Sequence, residues 1–78
     1  SRNIRYLSAR TIREKLTAYL EEQALRAGQD SFTVPFDRQA LADYLCVDRS
    51  ALSRELGRMR SEGLLEFERS RFTLHPGR

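Results

Sequence analysis

The stretch that decides the fold runs from Arg38 to Leu56 and reads RQALADYLCVDRSALSREL. Leu41 and Leu45 stand four residues apart, which places them on one face of a helix. Ala42 between them is small and lets a second helix cross closely. Cys46-Val47 is a tight connection that Val47 plugs, and Leu52 and Leu56 continue the buried side of the next helix. Small and apolar positions arranged this way about a short turn are the signature of helix-turn-helix packing. Asp37 and Asp48 precede the two helical patterns, where a carboxylate accepts from the open amides of a first turn. The first pattern covers Arg38–Leu45, with Tyr44 as a further apolar member. The second runs from about Arg49 to Glu62 and stops at Gly63.

Outward from this pair, Ile12, Leu16, Tyr19, Leu20 and Ala24 recur at helical spacing. They predict a helix over Ser8–Ala27, N-capped by Ser8 and stopped by Gly28, with Arg13, Glu14, Lys15, Glu21 and Glu22 on a solvated face. Phe32-Thr33-Val34 alternates like a short strand that Pro35 confines to an edge. Leu64–Glu68 and Phe72–His75 flank the polar tip Arg69-Ser70-Arg71 and predict a β-hairpin. The fold class is therefore mainly α with a small antiparallel β-sheet, a winged helix-turn-helix. Residues 1–7, with Ile4 and Leu7 lacking apolar partners, read as the tail of an earlier helix. Residues 8–78 form the winged-helix domain, with a frayed end at Pro76-Gly77-Arg78.

At 78 residues the chain makes one small domain, too short for most enzymes that bury a substrate. No apolar run approaches the roughly 20 residues of a membrane span, and the reading is a cytoplasmic protein. Cys46 is the single cysteine, which excludes an internal disulfide, and with His75 it cannot build a structural zinc site. The net charge is +3, but of 14 basic residues only Lys15 is lysine. Arginine forks match phosphate oxygens and guanine edges better than lysine does.

An advance of about 100° per residue along the helix after Asp48 puts Leu52, Leu56 and Met59 on one side. Ser50, Ser53, Arg54, Gly57 and Ser61 gather opposite, flanked by Arg58. Arginine donates a bidentate pair to guanine, serine bonds to several partners, and Gly57 allows close backbone approach. The competing reading is an ordinary solvated face; the helix-turn-helix packing on the reverse side favours DNA. Gln39 either donates to a phosphate or is a surface glutamine, and Arg69, Ser70 and Arg71 either touch backbone phosphate or form a soluble turn. Cys46 reads as a buried apolar plug rather than a redox thiol, and His75 as a bystander. No Ser-His-Asp order, glycine-rich phosphate loop or carboxylate pair points to catalysis.

The stretch FTVPFDRQALADYLCVDRSALSRELGRMRSEGLL, together with IRYLSARTIREKLTAYL upstream, resembles the C-terminal DNA-binding domain of the Crp/Fnr family of bacterial transcription regulators. The similarity extends from about Ile4 to Leu74 and is carried by Arg38-Gln39, Leu41-Ala42, Leu45, Asp48-Arg49 and Leu52-Ser53-Arg54. It implies sequence-specific binding of double-stranded DNA, with residues about 49–62 in the major groove and the wing, about 64–75, on the backbone. Arg49, Ser50, Ser53 and Arg54 fall at base-reading positions, and Gln39, Arg58, Arg69, Ser70 and Arg71 are the phosphate candidates. The resemblance further implies no cofactor in this domain, an effector bound by an N-terminal sensor domain, residues 1–7 as the remnant of a preceding dimerisation helix or hinge, and a homodimer for the full-length protein with the fragment mostly monomeric. Many members carry glutamate at the position of Ser50, where it reads cytosine, and glycine at the position of Cys46, where φ is positive. The rival reading is a winged-helix protein-interaction module, which would expose apolar anchors on the helix face instead.

Overall fold

Side-chain caps set where each helix begins. In the computed structural model, which describes residues 11–75, the first helix, α1, spans Ile12–Ala27 and starts from a capping box. The Thr11 hydroxyl accepts from the Glu14 amide at 3.1 Å, and the Glu14 carboxylate accepts from the Thr11 amide at 3.0 Å. This corrects the expected start at Ser8: the reciprocal pair satisfies two open amides at once and fixes the boundary three residues later. Ser8 itself, the stub over residues 1–7 and the end from Pro76 lie outside the described residues. Helix α2 (Arg38–Leu45) starts at Asp37, whose carboxylate accepts from the Ala40 amide at 2.8 Å. Helix α3 (Arg49–Ser61) starts at Asp48, which accepts from Ala51 at 2.9 Å.

All three helices among the described residues stop by the same device, a left-handed residue whose successor donates its amide to a carbonyl five positions back. Gly28 and Gly63 supply it after α1 and α3, with φ of 72° and 79°. After α2 the position is held by Cys46 at φ 60°; the Val47 amide bonds to the Ala42 carbonyl at 2.9 Å and the Cys46 amide to Asp43 at 3.2 Å. A non-glycine residue there costs roughly 1 kcal/mol. The expectation of a buried Cys46 is corrected, since its side chain is exposed. At the left-handed stop the chain turns sharply, and Val47 packs against the core in its place.

The sheet contains β1 (Ser31–Thr33), β2 (Leu65–Glu68) and β3 (Arg71–Leu74) in the antiparallel order β1-β3-β2. β1 is an edge strand one residue earlier than expected. Val34 follows it, buried, with its amide bonded to the Ser70 carbonyl at 2.9 Å. The hairpin tip narrows to Arg69-Ser70, and Arg71 already belongs to β3, opposite Glu68 and Thr33.

The core is one cluster between these layers. Leu16, Tyr19 and Leu20 of α1 meet Leu41, Ala42 and Leu45 of α2, Leu52, Leu56 and Met59 of α3, and Leu65, Phe72, Phe32 and Val34 from the sheet side. Tyr44 departs from its expected place: it is 46% exposed, and its ring lies along the rim near Tyr19 and Phe36. Lys15 is buried at 8% exposure rather than solvated; its ammonium donates to the Leu45 carbonyl at 3.2 Å and so ties α1 to the end of α2. Leu52 and Leu56 are fully buried. Leu52→Ala or Leu56→Ala should therefore cost about 2–5 kcal/mol, read as a clear drop in thermal melting temperature. A melting temperature equal to the parent's would show that neither side chain fills the core.

Arg13 of α1 does more than face solvent. Its Nε donates to buried Glu55 of α3, and its two terminal nitrogens hold Glu62 at 2.8 Å each. Arg58 also donates to Glu55, at 2.7 and 3.1 Å. Burial pushes the Glu55 carboxyl upward, but the hydrogen bonds from Arg13 and Arg58 outweigh it and hold it below the usual glutamate value of 4.5. Hydrogen bonding to Arg13 holds Glu62 low as well. Folded-state values below the unfolded ones give stability that is present above about 4.5 and is lost as the pH falls through them. The melting temperature should thus fall on acidification below that value, and fall less steeply in Glu55→Gln. Parallel pH profiles for the two proteins would show that Glu55 does not contribute.

Candidate nucleic-acid interface

Packing divides α3 into distinct sides. Leu52, Leu56 and Met59 face the core. Glu55 and Glu62 lie toward α1 in the Arg13 network. Stepping about 100° per residue, Arg49, Ser53 and Arg60 lie on the opposite flank, toward the wing, where the Arg60 guanidinium carbon is 4.3 Å from the centre of the Phe67 ring. The side left open carries Ser50, Arg54, Gly57 and Ser61. Arg49, Ser50, Ser53 and Arg54 are all exposed, and a Cβ built on Gly57 would meet nothing within 4 Å. This face is polar and cationic, with no large apolar side chain standing on it.

The phosphate candidates occupy two different situations. Arg69 and Arg71 are exposed at the wing tip without a carboxylate partner among the described residues. Gln39 is exposed and donates to Asp43 one turn on, at 2.9 Å. Arg58 has much of its fork committed to Glu55, although its side chain remains 60% exposed. Ser70 is half-buried, and its hydroxyl donates to the Phe36 carbonyl at 2.6 Å, which braces the wing against the approach to α2.

Two arginines that the sequence reading left aside join this surface. Arg38, the first residue of α2, has its guanidinium carbon 5.2 Å from the ring centres of both Phe67 and Phe72. Desolvation there lowers its affinity for the proton. Arg60 reaches the same Phe67 from α3. The available signal was Phe67 itself, an aromatic between Glu66 and Glu68, but a strand's alternation does not say which distant arginines its inner face meets.

Asp48 lies at the N-terminus of α3, next to Arg49 and Ser50. Its carboxylate is taken up by the Ala51 amide, which offsets part of the negative charge it would otherwise present. The net result is an open face of serine and arginine, continued onto the wing by Arg69 and Arg71 and bordered by Arg38 and Arg60. Among the described residues no cluster of three histidine, cysteine or acidic side chains is placed to hold a metal ion, and no helix is long and apolar enough to cross a membrane.

Comparison with known proteins agrees with this geometry. A probable transcriptional regulator, flp, from Lacticaseibacillus casei is 43% identical over 61 residues, which make up 78% of this chain and 28% of that protein. No solved structure matches the chain. Residues 14–75, which take in most of α1, the helix-turn-helix and the wing, match the Crp-like helix-turn-helix domain. The chain therefore belongs to the Crp-like helix-turn-helix family, the DNA-binding domains of transcription regulators.

Proposed function

We propose that this domain reads double-stranded DNA sequence-specifically, with α3 in the major groove and the β2–β3 hairpin on the flanking backbone. The observation that carries the reading is the outward surface of α3: Ser50 and Arg54 on the open side and Ser53 on the flank toward the wing are exposed, while Leu52 and Leu56 are fully buried. Arg49 and Arg54 have no carboxylate partner among the described residues and are left with their forks available for guanine O6 and N7. Arg69, Arg71 and Gln39 position the domain on phosphates; Arg58 contributes there only with what Glu55 leaves unused. Ser70 acts by bracing the wing, since its hydroxyl donates to the Phe36 carbonyl rather than to a phosphate. An interaction module is disfavoured because this face offers no apolar anchor. On this reading any effector acts through a separate sensor domain, and a second copy of the chain supplies the other half-site.

Base reading and backbone positioning separate by mutation. Once a preferred site has been selected from random duplexes, Arg54→Ala should weaken binding to it by about 1–3 kcal/mol and relax selectivity at one base pair. Arg71→Ala should weaken matched and scrambled duplexes alike and reduce the salt slope by about one. Equal loss on both duplexes for Arg54→Ala would make it a phosphate contact and move base reading to Arg49 or Ser50. If neither substitution altered binding, the DNA reading would fail.

Gly57 tests close approach. Mid-helix glycine costs roughly 0.5–1 kcal/mol against alanine, and here no internal neighbour occupies the space a Cβ would take. Gly57→Ala should raise thermal stability and at the same time weaken duplex binding. A variant that is stabilised with unchanged affinity would show that no partner comes close to this position.

A further inference from the structure

We propose that Arg60 and Arg38, both held against the ring of Phe67, form a clamp for backbone phosphate at the inner edge of the wing, with Phe67 as the residue that positions them. The proposal rests on the DNA-binding reading above and extends it to a contact that joins the end of α3 to the wing.

Two guanidinium groups approach one aromatic ring from different helices, Arg38 at 5.2 Å and Arg60 at 4.3 Å from its centre. Neither has a carboxylate partner among the described residues, whereas Arg13, Arg26 and Arg58 each do. Acids are close in sequence, since Glu66 and Glu68 flank Phe67, but the alternation of β2 exposes them while Phe67 is half-buried. The ring's negative face attracts each cation without neutralising it. Two like charges thus share one ring, an arrangement that an anion between or beside them would relieve.

The ring contacts also leave hydrogen-bonding capacity unused. Neither guanidinium donates a side-chain hydrogen bond among the described residues, so N–H donors of the kind with which arginine meets phosphate remain available. Holding the side chain on Phe67 removes rotamer freedom before the ligand arrives, so less is lost on binding. The cluster is contiguous with the phosphate candidates: Arg38 adjoins Gln39, Phe67 is two residues before Arg69, and its cross-strand partner Phe72 adjoins Arg71.

The test measures binding of the 78-residue chain to a labelled duplex, scrambled and matched, over a range of salt concentrations. Arg60→Ala and Arg60→Gln should each reduce the slope of log affinity against log salt by about one, equally on both duplexes. Arg60→Lys should keep the slope. Phe67→Leu should weaken binding in the parent and have little further effect in the double variant Arg38→Ala with Arg60→Ala, which a purely structural role for the ring would not produce. Thermal melting confirms that each variant is folded at the temperature used. An unchanged slope in both folded Arg60 variants would overturn the clamp and leave the stack as a latch for the wing. A loss confined to the matched duplex would overturn it too, by making Arg60 a base reader. Either result is distinct from failure of the DNA reading itself, in which the parent chain would not show salt-dependent duplex binding at all.

Discussion

The packing of Leu41 and Leu45 against Leu52 and Leu56 fixes the rotation of α3, and everything the surface can do depends on that rotation. All four side chains are fully buried, so a turn of one residue, about 100°, would drive charged or polar groups into the core and lift leucines onto the open face. The left-handed stop at Cys46 sets the angle between the two helices, and Val47 closes it from within. With the rotation fixed, Glu55 must meet α1 and Arg60 must meet the wing. The remaining side is left to serine, arginine and glycine.

Charge follows the same partition. A net +3 over 78 residues is a weak field if spread evenly. It is not spread evenly. On the α1 side Arg13 and Arg58 are spent on Glu55 and Glu62, and Arg26 pairs with Glu22 one turn away. Asp37 and Asp48 are taken up by helix amides. The guanidinium groups of Arg38, Arg49, Arg54, Arg60, Arg69 and Arg71, which have no carboxylate partner among the described residues, are thereby concentrated on α3's open face, its wing-side flank, the start of α2 and the wing. Pairing acids with cations away from that surface raises the local potential without raising the net charge, and a polyanion responds to the local potential.

The parts of this arrangement that were legible in the sequence are those encoded by neighbours a few residues apart. The periodicity of Leu41, Leu45, Leu52 and Leu56, the caps at Asp37 and Asp48, the glycine stops and the alternation of the hairpin are all local, and each gave its element. The family resemblance then pointed to the outward face of α3 as the one proposed to read DNA. What was not legible depends on pairs far apart in the chain: Arg13 with Glu55 and Glu62, Lys15 with the Leu45 carbonyl, Ser70 with the Phe36 carbonyl, Arg60 with Phe67. A charged residue on a helix reads as solvated until the neighbouring helix is in place, which is why Arg13 and Lys15 were misassigned. Cys46 failed for a different reason. Its position in a left-handed stop was legible, but burial was inferred from side-chain type, and in such a stop it is the following residue that turns inward.

Three positions run against local backbone preference, and they do not have the same explanation. Cys46 adopts a left-handed φ, and the interior accounts for it: the turn needs that geometry to bring Val47 and the two helices together. Gly57 interrupts α3 where the fold leaves space for a larger side chain. Arg69 holds φ at 56° at the hairpin tip, a conformation that glycine or asparagine adopts at lower cost, and its exposed side chain makes no ion pair among the described residues that would compensate. Departures from local rules that the interior does not repay are the ones expected where a ligand supplies the compensation. Gly57 and Arg69 belong to different elements, the middle of α3 and the tip of the wing. A helix in the major groove with a hairpin alongside on the backbone uses both at once, the first by its lack of a side chain and the second by its charge. A single polyanionic partner spanning α3 and the wing, as proposed, would therefore account for two local costs that no contact among the described residues explains.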